Sequence, residues 1–472
     1  LTILTGKPPN AEGVQGVGLR KRSAALTAVA GVAAAALAIT GCSSSGSSGT
    51  SSSGGTSSAP STLTVWRMGG SVPAQVTWMN GVVTQFHKDF PQYAKTQVKV
   101  DWIPWSDRTQ DWNNALSSGK NIPDVTELGN TDTPTEAASG ILDPLNSYLS
   151  SWSGKPGLVP GMLANDTQSG STYAVPWFGG VRAVWYRTDQ FKKAGITSTP
   201  TTWAQLLADA QKLQKTYPGT YGFDAITNDT NAFASFIWGA GGQIASQSSS
   251  GQWTADLTSP QTEAAIKYYV SLYSTYHLSP SKYIGQTELG NAGATSGGPN
   301  EDFGLGKLDM YIDGPWAKAT LPANSTDTAN ISSFPIPSES GPNPAPVFSG
   351  GSDLAVFKTS PNKQAAWDLI SVMDNVPNST SFAKLSGFFP PYTAAISNGV
   401  YPGDQFMVGF AKAALNGQTA PLNAKNWPTA DNGNYNIIPT MLKSLMDGAS
   451  FSSTVTKANS ELTTVLNTGS ES

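Results

Sequence analysis

Beyond residue 61 the sequence alternates between strand-like and helix-like segments, and this alternation is the feature that most constrains the fold. Thr62–Met68 alternates polar and apolar residues and is rich in β-branched side chains, which is typical of a strand. The predicted series is a strand at Thr62–Met68, a helix at 75–90, a strand at Gln97–Trp102, a helix at Trp112–Ser118, a strand at Pro123–Leu128 and a helix at Thr133–Gly140. Strands that alternate with helices predict an α/β fold with a mostly parallel sheet.

Three later helices carry start signals. Thr202-Trp203-Ala204-Gln205 has the capping-box pattern, in which a Thr hydroxyl accepts a free backbone N–H and the Gln side chain reaches back. A Ser precedes a Pro in both Ser259-Pro260 and Ser360-Pro361. Proline suits the first position of a helix, because a backbone N–H at that position would have no partner within the helix, and proline has none. We predict helices that begin after Thr202, Ser259 and Ser360.

The first sixty residues have a different character. Arg20–Arg22 is basic, Ala24–Ile39 is an uncharged run rich in alanine, and a tract of Ser, Gly and Thr follows to about residue 61. A basic head, a short apolar segment and a small-residue exit predict a secretory signal peptide over residues 1–41. The alternative is a transmembrane helix, for which the run is short and dominated by alanine.

Cys42 is the single cysteine of the chain and lies where such a signal would be cut. The I-T-G-C sequence that ends on it resembles the lipobox of bacterial lipoproteins, whose cysteine receives a diacylglycerol. The resemblance implies a lipid anchor at Cys42, and the Ser/Gly composition of residues 42–60 predicts a flexible tether. The alternative is an unmodified thiol, which would have no core to pack in and no neighbouring His to activate it.

Composition limits the remaining possibilities. Roughly 410 of the 472 residues follow the tether. This length is more than one simple hydrophobic core usually organises and is enough for two lobes. The net charge is −4, and the segment before Cys42 carries +3, so the rest of the chain carries −7. An acidic protein without a basic stripe is a poor nucleic-acid binder. A single cysteine also excludes disulfide bonds within the chain.

Catalytic signatures are absent from the sequence. It contains no G-x-S-x-G elbow, Walker A loop, G-x-G-x-x-G or H-E-x-x-H motif. Its two histidines, His87 and His277, lie in polar helical patterns, which argues against a His-based triad or a multi-His metal site. We therefore predict a protein that is not an enzyme and needs no cofactor and no metal. The alternative is a secreted glycoside hydrolase, because such enzymes use a pair of carboxyl groups and the chain contains carboxylates such as Glu127 and Asp353.

Tryptophan is abundant, with 14 residues, and many lie near Gly, Pro or Asn. The indoles predicted to lie near strand ends or turns are Trp66, Trp105, Trp177, Trp238, Trp316 and Trp427. Flat aromatic faces stack on the C–H faces of sugars, while Asp, Asn and Thr bind the hydroxyls. The alternative is that each Trp packs in a core. The number of such residues favours carbohydrate binding.

Several segments together resemble a known family. Tyr173–Ile196, with Y-A-V-P-W and Y-R-T-D-Q-F-K-K-A-G-I, is similar to the central signature of extracellular sugar-binding proteins of ABC importers (family 1 solute-binding proteins). The other matching blocks are Pro123–Gly129, Ser139–Leu145, Thr199–Leu206, Phe303–Trp316 and Gly350–Ile370. The blocks appear in the family's order. Within the family, W-R-M-G-G-S and E-L-G-N-T look more like binders of chitobiose-type or other β-linked oligosaccharides than like maltose binders.

The resemblance implies a periplasmic-binding-protein-like type II fold, with two α/β lobes joined by crossing hinge segments and the ligand in the cleft between them. Carried over, the first lobe is 61–176 plus 314–350, and the second is 177–313 plus 351–472. It also implies a monomer that closes around a sugar or oligosaccharide and delivers it to ABC permease subunits in the membrane. A non-transport carbohydrate-binding lipoprotein is a further alternative.

The resemblance also implies a set of ligand-binding residues. Trp316 of the G-P-W motif matches an aromatic residue that stacks on sugar in maltose-binding relatives, and Trp427 falls where the family often has a late cleft aromatic. The full set is Ser71, Asn130, Thr131, Asp132, Trp177, Phe178, Arg182, Trp238, Asp313, Trp316 and Trp427. We expect Asp309, which stands where the family usually has a small residue, to face outwards.

Overall fold

The computed structural model describes residues 59 to 470, apart from 106, 169, 288–289, 291–296, 398, 420, 422 and 433–434. The predicted signal peptide, Cys42 and nearly all of the predicted tether lie outside the described residues. Within the described part of the chain, no helix combines the length and the apolar character needed to cross a membrane.

Fourteen strands and sixteen α-helices make up the described fold. The strands are β1 (Thr62–Met68), β2 (Gln97–Ile103), β3 (Val125–Gly129), β4 (Thr167–Gln168), β5 (Ser171–Thr172), β6 (Val175–Gly180), β7 (Ala183–Arg187), β8 (Ala245–Gln247), β9 (Trp253–Ala255), β10 (Met310–Asp313), β11 (Ile331–Phe334), β12 (Val347–Phe348), β13 (Gly350–Val356) and β14 (Gly417–Gln418). The helices are α1 (Pro73–Asp89), α2 (Arg108–Ser118), α3 (Thr133–Ser139), α4 (Asn146–Leu149), α5 (Pro160–Asn165), α6 (Thr188–Lys193), α7 (Trp203–Thr216), α8 (Thr230–Gly239), α9 (Pro260–Ser274), α10 (Pro299–Gly304), α11 (Lys363–Met373), α12 (Val376–Ser386), α13 (Thr393–Ser397), α14 (Val408–Ala414), α15 (Ile437–Met446) and α16 (Phe451–Thr468).

The first sheet has the strand order β2-β1-β3-β13-β6. β1 is parallel to both β2 and β3, whereas β13 is antiparallel to β3 and β6. Leu63, Val65 and Val125 point to one face, where they pack with residues of α1, α11 and α12. Trp66 and Leu128 point to the other face, where they pack with residues of α2 and α3. Helices therefore cover both faces of this sheet, which is typical of an α/β fold.

The second sheet has the order β10-β7-β11, with both neighbours antiparallel to β7. Trp185 of β7 is fully buried and lies 4.5 Å from the ring of Phe406. α7, α8, α9, α14, α15 and α16 contribute buried residues to the same core. The described residues thus form two main sheets, each with its own helices, and three small two-stranded sheets, and the α/β class is confirmed. The expected mostly parallel pairing is wrong, because two of the four pairings in the first sheet and both pairings in the second are antiparallel.

The chain passes between the two sheets at two of the three predicted crossings, namely the step from β6 to β7 and the segment around Ser349 that precedes β13. The crossing expected near Asp313 is wrong, because β10 and the next strand, β11, both pair with β7 of the second sheet. The lobe assignment of two segments differs from the expectation. β11, expected in the first lobe, pairs with β7 of the second sheet, and β13, expected in the second, pairs with β3 and β6 of the first. The sheet that each of these strands joins is determined by pairing with strands distant in sequence, so no local sequence pattern predicts it.

The predicted helix starts at Thr202 and Ser259 are confirmed. The Thr202 hydroxyl accepts the backbone N–H of Gln205 at 3.3 Å, and the Ser259 hydroxyl accepts that of Thr262 at 3.4 Å. The start at Ser360 is wrong, because α11 begins at Lys363. The Ser360 hydroxyl instead donates to Asp124 at 2.5 Å, which holds it in the turn before the helix.

Candidate functional site

A cleft opens where the carboxyl ends of β1 and β3 meet the crossing segments. It has a volume of about 760 Å³, within the range of small-molecule sites. The described lining residues are Arg67, Met68, Gly69, Gly70, Val72, Gln75, Trp105, Glu127, Phe178, Gly180, Arg182, Asn231, Trp316, Ala319, Gly350, Gly351, Ser352, Phe382, Leu385, Ser386 and Phe388. The carboxyl ends of parallel strands are a common place for ligands in open α/β sheets.

One wall of the cleft is aromatic. Phe178 and Phe388 stack with ring centroids 4.3 Å apart and an interplanar angle of 25°. Trp316 lies 5.6 Å from Phe388 at 32°, and its side chain is half-buried, so part of the indole remains open to the cleft. Trp105, which follows β2, is 40% exposed. Such surfaces match the apolar faces of sugar rings.

Two glycines allow Trp316 to lie against the crossing segments. A Cβ atom on Gly180 would stand 2.7 Å from Cζ3 of Trp316, and one on Gly314 would stand 2.1 Å from the same indole. Both separations are far below van der Waals contact, so a larger residue would displace the ring. The G-P-W motif therefore works together with a glycine more than a hundred residues earlier in the chain.

The floor of the cleft contains a buried ion pair between Arg67 and Glu127. Both residues continue the face of the first sheet that carries Val65 and Val125, one pleat further towards the carboxyl ends. Glu127 Oε2 also accepts the backbone N–H of Met68 at 2.8 Å. The guanidinium of Arg67 lies 4.1 Å from the ring centroid of Trp177. Burial lowers the pKa of Arg67, and the Glu127 carboxylate opposes that shift.

The second sheet contributes to the cleft through α8. Arg182, in the crossing after β6, forms an ion pair with Asp229 at 2.8 Å, and its guanidinium lies 5.6 Å from the ring of Trp316. Asp229 also caps α8 by accepting the N–H of Ala232 at 3.1 Å. Asn231, in the first turn of that helix, lines the cleft. The positive end of α8 and the Asp229 carboxylate therefore meet at this wall.

Next to the mouth, Asp132 binds Arg108 through both carboxylate oxygens, at 2.7 and 3.1 Å. The Arg108 guanidinium also lies 5.5 Å from the ring of Trp105. Burial and the nearby Asp132 charge raise the pKa of Glu136 to about 7. This network orients the loop that carries Trp105.

A group of buried acids occupies the opposite face of the first sheet. Asp353 of β13 accepts the hydroxyl of Thr133 at 2.6 Å and also contacts Asp166. Burial raises the pKa of Asp353 to about 7. Burial and the Asp353 charge raise the pKa of Asp166, and the same two causes raise that of Asp374. Ser352, not Asp353, lines the cleft.

Three of the residues implied by the family resemblance line the cleft, namely Phe178, Arg182 and Trp316. Ser71 is exposed and stands between two lining residues, Gly70 and Val72.

Four further implied residues take part in contacts at the strand ends or crossings. Asn130 is buried and donates to the carbonyl of Ser349 at 2.8 Å, which ties β3 to a crossing. Thr131 is half-buried beside it, and Asp132 is held by Arg108. Asp313 is fully buried and accepts the N–H of Gly314 at 2.6 Å. None of these four is among the described lining residues.

Three implied tryptophans are not in the cleft wall. Trp177 and Trp427 are fully buried, contrary to the expectation. Trp177 lies on the helix-covered face of β6 and stacks on Phe382 at 4.3 Å, whereas Trp427 packs in the core of the second sheet. Trp238 belongs to α8 and borders a different surface concavity, beside the 338–346 loop. Asp309 is also buried, not outward-facing, and accepts the Thr220 hydroxyl at 2.7 Å.

Several lining residues were absent from the sequence-based set. Arg67 and Glu127 are charged residues inside otherwise uncharged strands, and this contrast is a signal that could have found them. Trp105 was among the indoles noted near strand ends, but it was not assigned to the site, and Phe388 was not singled out. Asn231 had no signal, because its position depends on how α8 approaches the crossing. Among the residues that the structure describes, no group of three or more His, Cys, Asp or Glu could hold a metal ion.

Comparison with known proteins gives consistent matches. A sequence model of bacterial extracellular solute-binding proteins matches residues 69–374. The diacetylchitobiose binding protein DasA of Streptomyces coelicolor is 29% identical over 402 residues, covering 83% of this chain and 87% of that protein. The structure of the sugar-binding protein MalE from the phytopathogen Xanthomonas citri matches with a TM-score of 0.71 and 22% identity, covering 86% of this chain and 97% of that chain. A Thermotoga lettingae solute-binding protein bound with α-D-tagatose matches with a TM-score of 0.68 and 23% identity, covering 86% of this chain and 99% of that chain. The predicted type II fold with two lobes is thereby confirmed.

Proposed function

The chain belongs to the bacterial extracellular solute-binding proteins, and on this premise we propose that it captures a carbohydrate outside the cytoplasm and delivers it to the permease of an ABC importer. The observation that carries the proposal is the cleft, where an aromatic wall of Phe178, Trp316 and Phe388 faces a polar floor. This combination suits a molecule with apolar C–H faces and a rim of hydroxyls.

The ligand class that fits best is an uncharged sugar of about two rings. A volume of about 760 Å³ accommodates a disaccharide. A relative, DasA, is named for diacetylchitobiose binding, which agrees with the chitobiose-type resemblance of the W-R-M-G-G-S segment. Calorimetric titration and thermal-shift screening against neutral disaccharides, including diacetylchitobiose, cellobiose and maltose, test this. Failure of every neutral sugar to bind would contradict the proposal.

Binding without catalysis is the second part of the proposal. A glycoside hydrolase of the usual kind needs two carboxyl groups beside the scissile bond. Among the described lining residues Glu127 is the one carboxylate, and Arg67 already engages it. Incubating residues 61–472 with a bound sugar should leave the number of reducing ends unchanged. Turnover that disappears in Glu127→Gln would favour the hydrolase.

Attachment and delivery complete the proposal. Cys42 carries the lipid, the Ser/Gly tract is the tether, and a monomer on the outer face of the membrane meets the permease. In an actinobacterial host, Cys42→Ala should move from the membrane fraction to the medium, and an unchanged distribution would contradict the anchor. Loss of sugar uptake when the gene is deleted separates a transport receptor from a carbohydrate-binding lipoprotein without a transport role.

A further inference from the structure

The Arg67–Glu127 pair is costly for a protein core. Each side chain is almost fully buried, with 3% of Arg67 and 2% of Glu127 exposed. Removing two charges from water is unfavourable, and a well-packed apolar pair of similar volume is often as stable or more stable. The neighbours on the same face of the sheet, Leu63, Val65 and Val125, are all apolar. Stability alone therefore gives no reason for charges at these two positions.

The surroundings hold the pair rigidly while leaving hydrogen-bonding capacity open to the cleft. Besides Trp177, the Arg67 guanidinium lies 5.1 Å from the ring of Phe382 and 5.5 Å from that of Trp102. A guanidinium has five N–H donors, and within the described residues Nη1 is the one nitrogen with a hydrogen-bond partner. Both hydrogen bonds to the Glu127 carboxylate use Oε2. Donors of Arg67 and Oε1 of Glu127 are thus left for another molecule.

The charges around the cleft are balanced. Arg67, Glu127 and Arg182 are the charged side chains among the described lining residues. Arg67 is paired with Glu127, and Arg182 is paired with Asp229. Neither pair leaves a net charge for a ligand to neutralise, so a charged ligand would lose its hydration without gaining a counter-ion.

We propose, on the basis of the carbohydrate-binding function above, that Arg67 and Glu127 contact the ligand directly and make the site selective for uncharged sugars. Arg67 donates to a hydroxyl or acetamido oxygen, and Glu127 accepts from a hydroxyl or acetamido N–H of the same sugar unit. The aromatic wall receives the face of the ring. Selectivity follows because the pair offers one donor group and one acceptor group with no net charge.

The test compares Arg67→Gln, Glu127→Gln and the double variant with the wild type. The probes are the neutral sugars diacetylchitobiose, cellobiose and maltose, the cationic sugar chitobiose, and the anionic sugar cellobiouronic acid, titrated by calorimetry. The wild type should favour a neutral sugar over both charged ones. Each single variant should lose about tenfold to a hundredfold in affinity for that neutral sugar.

The single variants should also change the charge preference in opposite directions. Arg67→Gln leaves Glu127 unpaired, so its relative affinity for chitobiose should rise. Glu127→Gln leaves Arg67 unpaired, so its relative affinity for cellobiouronic acid should rise. The double variant should again disfavour both charged sugars, with weaker binding than the wild type. It also carries no unpaired charge, so it tests the idea even if a single variant folds poorly.

Arg187→Gln is the matched control, because Arg187 is a buried arginine of the second sheet paired with Asp327 and does not line the cleft. It should lower the melting midpoint and leave the charge preference unchanged. A wild type that binds no neutral probe would overturn the proposed function and this inference with it. Neutral-sugar affinities within about twofold of wild type in all three folded variants would overturn this inference alone.

Discussion

At the scale of single residues, Trp316 and Trp427 show how the surroundings of a side chain determine what it can do. Both were expected to stack on sugar. Trp316 lies half-buried beside Phe388 and Arg182, at the cleft, whereas Trp427 is fully enclosed by the core of the second sheet. The same substitution at the two positions should therefore affect different properties.

Trp316→Ala should weaken sugar binding by about tenfold to a hundredfold, because it removes a stacking surface from the cleft. Trp427→Ala should instead lower the free energy of unfolding by about 3–5 kcal/mol, because it leaves a cavity in the core. Calorimetric titration and denaturant melts of both variants measure the two effects. Unchanged affinity with a strongly lowered melting midpoint in Trp316→Ala would identify Trp316 as a core residue.

Asp353 predicts a dependence of stability on pH. Between about pH 4, where an unfolded Asp ionises, and pH about 7, where the folded group ionises, the folded protein holds a proton that the unfolded chain has lost. The free energy of unfolding should therefore fall as the pH rises through this window.

Asp353→Asn should make the decrease of the unfolding free energy with pH shallower. The decrease that remains should come from Asp166 and Asp374. Denaturant melts at a series of pH values measure it. Asp447→Asn, at an exposed carboxylate in an ion pair with Lys443, is the control and should keep the wild-type slope. A slope in Asp353→Asn equal to that of wild type would contradict the assignment.

At the scale of secondary-structure elements, the crossing strand β6 and helix α8 position the cleft residues. β6 ends in the consecutive glycines Gly179 and Gly180, and only the second faces Trp316. α8 begins at the ion pair between Asp229 and Arg182. Each element therefore offers a pair of closely related substitutions with different expected results.

Gly180→Ala should lower sugar affinity about tenfold, because its Cβ would displace the indole of Trp316 and press on Phe388, 3.2 Å away. Gly179→Ala is the matched control, because its Cβ would meet Met162 at an ordinary 3.5 Å. Titration of both variants with the same sugar is the measurement. Equal affinities would mean that the close approach at Gly180 does not set the position of Trp316.

Asp229 has two roles in α8, and two substitutions separate them. Asp229→Asn can still cap the helix but loses the ion pair with Arg182, which should cost about 3 kcal/mol of stability. Asp229→Ala loses both the ion pair and the cap, and the loss of the cap should lower the free energy of unfolding by about 1 kcal/mol more. Urea melts compare the three proteins. Identical stabilities of the Asn and Ala variants would show that the cap contributes nothing measurable.

At the scale of the whole molecule, two sheets with separate cores are joined by crossing segments that also line the cleft. Phe178, Arg182 and Trp316 all lie in or beside these segments. A ligand held there contacts groups from both sheets, so it should favour the arrangement in which the two parts enclose it.

Saturating sugar should therefore reduce the radius of gyration of residues 61–472 in small-angle X-ray scattering. A ligand at one hundred times its Kd should also stabilise the protein by about 2.7 kcal/mol, which a thermal melt detects as a higher midpoint. Trp316→Ala should need more sugar for both effects. Tight binding without any change in the scattering curve would exclude closure on binding.

Much of the fold was readable from the sequence because it depends on local patterns. The bounds of β1 were predicted as observed, since alternation over Thr62–Met68 reflects the pleat of a strand. The helix start after Thr202 was predicted from the capping-box pattern, and the Thr202 hydroxyl accepts the backbone N–H of Gln205 at the start of α7. The six family-like blocks, in the family's order, predicted the two-lobe fold.

The sequence by itself thus determined the elements, the α/β class and the family. Only the tertiary structure decided which sheet each late segment joins and which side chains reach the cleft. Trp177 and Phe178 are adjacent in β6 and both contact Phe382 of α12, yet Trp177 is fully buried, whereas Phe178 also stacks on Phe388 and lines the cleft. Arg67 and Glu127 are 60 positions apart, yet they meet because parallel pairing of β1 and β3 sets them side by side. Local patterns follow from the backbone of a few residues, whereas a binding site is formed by packing between distant parts of the chain.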